Sequence, residues 1–180
     1  MRKLAAAAAI VGGLIWVSSV VITALRPIGH SGVARSTLDL DPVILVAFVL
    51  MAWSATALAS DLQPSRVAWT GAAVSWIAVA LLGVNVAVVL ATGDDAPVWP
   101  THYAAFFFMA LGMSLLGVAA LRVRALPLAA GIAMIVAPLP MPLGNMQNDS
   151  VLLWLPLGVG SLAAGIAMGF ARRAARRSAA

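Results

Sequence analysis

Seven side chains of the kinds that move protons or hold metals fall in or beside the loops on one face of this chain: His30, Asp39, Asp41, Asp94, Asp95, His102 and Asp149. Carboxylate and imidazole ligands drawn from several loops can hold a hard or borderline divalent cation. On that ground His30, Asp39, Asp41, Asp94, Asp95 and His102 are the metal-ligand candidates. Their spacing argues against the chemistry. No pair shows the i, i+4 spacing that aims two helical ligands at one ion, and Asp94 and Asp95 are adjacent. Asp41 before Pro42 also reads as a helix cap followed by proline in the first turn.

Catalysis has less support. His30 and Ser31 are neighbours, but a Gly-x-Ser-x-Gly elbow is absent. Intramembrane aspartyl chemistry needs two buried Asp, and the apolar stretches hold none. Proton-coupled transport usually keeps an ionisable group at membrane depth, because it is costly there and persists only for function. Lys3 is the only lysine, so no lysine sits inside a span to carry retinal, and no His pair lies at membrane depth for haem. No catalytic residue and no cofactor is predicted.

The elements that must position these residues are apolar to an unusual degree. The chain has 180 residues, 63% of them hydrophobic and 9% charged, where soluble domains are about half apolar and a quarter charged. Lipid must cover the excess. Apolar stretches of about the ~20 residues needed to cross a bilayer run over 4–25, 43–60, 67–91, 102–121, 126–143 and 151–170. The sequence therefore predicts an all-α integral membrane protein, a six-helix bundle forming one polytopic domain over residues 1–180. The first stretch follows Arg2 and Lys3 like a signal peptide, but its apolar run exceeds the usual ~7–15 residues, and it is read as a retained helix.

Charge orients the bundle. With the N-terminus inside, Arg2, Lys3, Arg66, Arg122, Arg124, Arg172, Arg173, Arg176 and Arg177 face the cytoplasm, against Arg26 and Arg35 outside. The positive-inside rule then places both termini in the cytoplasm. The same distribution explains the net charge of +5 without nucleic acid. Arg- and Ala-rich composition without Cys or Glu suggests a GC-rich bacterial genome, hence the cytoplasmic (inner) membrane.

The fifth stretch is the sharpest positive signal. Pro138, Pro140 and Pro142 each lack an N–H and disfavour helix in the preceding residue, so the helix is expected to break at or before Pro138 and continue as extended chain. Carbonyls freed there must be buried or line a wet cavity. Asn85, Ser18, Ser19, His102, Tyr103 and Trp154 fall in the same outer half, so with the three prolines they are the ligand-pocket candidates. Trp16, Trp53 and Trp76 lie nearer mid-membrane, where an indole N–H wants an acceptor, and are expected to turn inward. Phe106-Phe107-Phe108 covers most of a helical turn and should touch both protein and lipid. Ser161, Gly165 and Gly169 recur every four residues and are helix-packing candidates, within one chain or between two copies.

The leading functional expectation is a non-enzymatic accessory or sensory subunit acting through contact with a partner or a small ligand. The second is an oligomeric small-solute channel or facilitator around the broken fifth span. The third is a membrane enzyme using the external His and Asp residues. The expected partners are the bilayer and either a second copy or another membrane protein.

Overall fold

The computed structural model describes residues 2–26, 40–93, 99–144 and 149–177. Among the described residues six α-helices follow the apolar stretches: α1 (Arg2–Leu25), α2 (Asp41–Asp61), α3 (Arg66–Thr92), α4 (Trp99–Arg122), α5 (Leu128–Val136) and α6 (Leu155–Arg177). Five of them are long and apolar enough to cross a membrane; α5, with nine residues, is the exception. The chain is a multi-pass membrane protein.

Local chemistry sets several of the helix ends. The Ser65 hydroxyl accepts from the Ala68 N–H at 3.2 Å and so caps α3, which ends at Gly93 in the left-handed region (φ 71°). Asp41 differs from the capping role expected of it. It is the first residue of α2, the cap position is Leu40 without a side-chain bond, and the Asp41 side chain turns into the bundle.

The proline run also departs from expectation. Residues 138–142 are turned, where extended chain was expected. The Leu139 N–H bonds to the Val136 carbonyl at 3.1 Å, Met141 to Pro138 at 3.1 Å and Leu143 to Pro140 at 3.0 Å, ending in a 3-10 turn over Met141–Leu143. The prolines alternate with residues that keep their N–H. Each of those donates three residues back, a ladder in which the missing proline donors are not needed.

Each helix packs on its neighbours in the chain, and α6 returns to α1, closing a ring; α2 also touches α4 across it. Small residues allow the closest crossings. A Cβ at Gly13 would lie 2.7 Å from the Gly158 carbonyl oxygen, and one at Gly158 2.8 Å from that of Gly13. Gly71 and Gly112 meet the same way between α3 and α4. Without a hydrophobic drive between helices in lipid, such close backbone approach supplies the packing contacts. The interior is filled by Trp16, Phe48, Met51, Leu82, Met109, Leu116, Met134 and Leu157, all fully buried.

Candidate functional site

The first turns of α4 place His102, Tyr103, Phe106, Phe107 and Ala110 at one-turn spacings, so they share a flank of the helix. Opposite them, α5 stops at Val136, and the turn beyond it brings in Met141. A six-residue 3-10 segment, Asp149–Trp154, then leads into α6 and contributes Trp154. Between these elements lies a cleft of about 200 Å³, lined by Tyr103, Phe106, Phe107, Ala110, Met141 and Trp154.

Hydrogen bonds fix its wall. The Trp154 indole donates to the Met141 carbonyl at 3.0 Å, and the Trp16 indole donates to the Trp154 carbonyl at 2.7 Å. Three separate parts of the chain are thereby tied together, and acceptors in non-helical backbone at membrane depth are satisfied. Phe106 stacks edge-on at 4.9 Å from Trp154 and 5.2 Å from Trp16, with Phe48 at 5.6 Å behind it. Edge-to-face rings at these distances make a stiff apolar wall. Of the lining residues Phe107 is 54% exposed, so the cleft opens beside an apolar side chain on the surface of the bundle.

Behind Phe106 lies a buried polar pair. His102 Nδ1 is 3.8 Å from the Asp41 carboxylate, within ion-pair reach but beyond hydrogen-bond length. The imidazole ring centre is 4.4 Å from that of Phe106. His102 Nε2 is buried without a hydrogen-bond partner.

The pocket candidates therefore separate. Tyr103 and Trp154 line the cleft and His102 stands behind it. Pro138 is buried and Pro140 half-buried in the turn that delivers Met141, whereas the ring of Pro142 lies outside the described residues. Asn85 is fully buried on α3 and is not part of the cleft. Ser18 is exposed, and Ser19 is buried with its hydroxyl donating to the Ile15 carbonyl at 2.8 Å, one turn back on α1. Of the metal candidates, Asp41 and His102 come together, while His30, Asp39, Asp94 and Asp95 lie outside the described residues. Among the described residues no three His, Cys, Asp or Glu gather. Of the packing candidates, the Ser161 hydroxyl donates to the Ala9 carbonyl at 2.9 Å, Gly165 faces the Ala6 carbonyl, and a Cβ added at Gly169 would meet nothing within 4 Å.

Phe106, Phe107, Ala110 and Met141 are cleft residues that the sequence did not single out as such. Phe106 was detectable: it sits one turn after His102, and its triplet had to divide between protein and lipid. Met141 was not, because only the turned proline run brings it there. Of the three mid-span indoles, Trp16 is fully buried, but Trp53 (45%) and Trp76 (42%) are exposed, contrary to expectation. Trp76 Nε1 donates to Thr56 Oγ1 at 2.9 Å, so its N–H is satisfied at the surface of the bundle.

No protein-family model, curated protein or solved structure matches this chain.

Proposed function

We propose that this chain is a non-enzymatic protein of the cytoplasmic membrane with six spans and both termini inside, an accessory or sensory subunit that takes a small apolar ligand into the cleft beside α4. The cleft carries this reading. It is lined mainly by apolar and aromatic side chains, braced by the Trp16–Trp154–Met141 hydrogen bonds and open beside the exposed Phe107. A dry cavity of about 150 Å³ holds a benzene ring, so about 200 Å³ suits a ring-sized group.

The interior favours this over a channel, since large side chains fill the centre of the bundle. Among the described residues the enzyme reading rests on the Asp41–His102 pair, which no third His, Cys, Asp or Glu joins. Six spans are supported by length: α5 and the i→i+3 bonded turns after it cover residues 128–143, at most about 27 Å at ~1.5 Å per residue in the helix and ~2.0 Å if all of 137–143 rises like 3-10 helix. That approaches the ~30 Å hydrocarbon core. Crossing also keeps Arg122, Arg124 and the Arg172–Arg177 cluster on one side.

A ring-sized aryl diazirine, photoactivated in membranes containing the protein, tests the site. Adducts should concentrate on Tyr103, Phe107 and Met141. Labelling spread evenly over the exposed faces of the six helices would overturn the proposal, and solute leakage through liposomes bearing the protein would favour the channel.

A further inference from the structure

A second hollow, of about 620 Å³, lies where the turn after α2 enters α3, and Gln63, Pro64, Arg66, Trp69 and Thr70 line it. All five are exposed. Four of them can donate a hydrogen bond: the Gln63 amide, the Arg66 guanidinium, the Trp69 indole and the Thr70 hydroxyl. Among the described residues no hydrogen bond or ion pair engages any of these four side chains. Polar side chains close by in the chain are committed instead. The Ser65 oxygen accepts from the Ala68 N–H, the Ser60 hydroxyl donates to the Thr56 carbonyl, and the Trp76 indole donates to Thr56 Oγ1. No carboxylate lines the hollow. Uncommitted donors around one permanent cation, with no acid among them, are the chemistry that holds a phosphate.

Position indicates which phosphate. Arg66 is the first residue of the apolar helix Arg66–Thr92, and Trp69 follows about one turn further in, where indoles settle among lipid headgroups. Arg66 to Thr70 spans a rise of about 6 Å along the helix. A lipid phosphate at the guanidinium therefore leaves the indole and hydroxyl level with that lipid's ester carbonyls. Beyond Thr70, exposed Ala73, Ile77, Ala80 and Val84 follow every three or four residues along the same flank of α3. Only 33% of the apolar stretch of α3 is buried, against 50% or more in the other four long helices. We propose that this hollow binds one anionic phospholipid of the phosphatidylglycerol type, its phosphodiester on Arg66 and its acyl chains along the open flank of α3. A zwitterionic headgroup would bring an ammonium that no lining carboxylate meets. The site is independent of the cleft beside α4.

Phosphatidylglycerol carrying a diazirine at the head of one acyl chain tests the site, photoactivated in neutral-lipid nanodiscs that hold the full chain and read by peptide mapping. Adducts should concentrate on residues 63–77. Arg66→Gln should lower them about fivefold, the effect of one cation beside an anionic lipid. Arg124→Gln removes an equal charge from another exposed turn and should leave them unchanged. Trp69→Phe keeps both ring and charge and should lower them about threefold through the lost indole bond, so it decides the matter even where Arg66→Gln fails to insert. Equal losses in the two arginine variants overturn the proposal in favour of diffuse surface charge, and unchanged adducts in Trp69→Phe overturn it as well. Equal labelling by a phosphatidylethanolamine probe overturns the anionic selection. Loss of the adducts under excess glycerol 1-phosphate overturns the lipid as occupant and makes it a free phosphate.

Discussion

The indole N–H of Trp16, in the middle of α1, donates to the backbone carbonyl of Trp154 at 2.7 Å, across 138 residues of sequence. Trp154 in turn donates to Met141 at 3.0 Å. Two indoles thus act as struts that hold two non-helical segments, the turn after α5 and the 3-10 entry to α6, against the first helix. The cleft exists because those segments are short and turned, and it keeps its shape because the struts are buried.

Replacing Trp16 by Phe should therefore destabilise the bundle by about 1–3 kcal/mol, since it removes the buried indole bond to the Trp154 carbonyl and opens space in the core. Trp76→Phe removes an indole bond as well, to Thr56 Oγ1, but at an exposed position. Membrane hydrogen bonds average about 0.6 kcal/mol, and the cost there should not exceed that. Unfolding midpoints in mixed micelles compare the two directly. Equal losses would mean that the strut does not distinguish Trp16.

Gly144 faces the indole of Trp154 so closely that an added Cβ would meet Nε1 and Cδ1. Gly144→Ala should push the indole off the Met141 carbonyl and into the cleft, at about 1–3 kcal/mol for overpacking. Aryl-diazirine labelling of Met141 should fall severalfold while circular dichroism keeps its helical signal. Unchanged labelling would show that Trp154 does not shape the site.

The crossings of α1 with α6 and of α3 with α4 yield a paired prediction. Gly13→Ala and Gly158→Ala each put a methyl onto a facing carbonyl and should cost about 1–3 kcal/mol. Gly83 and Gly169 meet nothing within 4 Å of an added Cβ. Gly83→Ala should leave stability unchanged or raise it by up to about 1 kcal/mol, as expected from helix propensity alone. A loss at Gly83 matching that at Gly13 would point to a neighbour on the open face of α3.

Much of the fold is legible in the sequence because the apolar runs are long, free of central charges and bounded by Pro, Gly or Arg. What is not legible depends on partners far away in the chain. Trp76 looks like an inward-turning residue until Thr56 is seen to accept its proton. The Pro138–Pro142 run looks extended until Leu139, Met141 and Leu143 are seen donating three residues back. Asp41 reads as a helix cap and His102 as a span-end residue; only the packing of α2 against α4 makes them a pair. Tyr103 and Trp154 could be placed at the right depth from sequence, but not on the same wall.

The orientation proposed for the chain depends on whether residues 126–143 cross the membrane, since α5 alone is too short to do so. If they cross, Arg122 and Arg124 lie inside, Leu143 lies outside and the C-terminus returns to the cytoplasm. If they loop back, the arginines of 172–177 are stranded outside, against the bias that sets topology. A reporter active only outside the cytoplasm should be silent when fused after Arg124, active after Leu143 and silent after Ala180. Silence after Leu143 together with activity after Ala180 would reduce the protein to five spans. The cleft would then be built by a re-entrant segment, its turn buried against α4 and never reaching the outer surface.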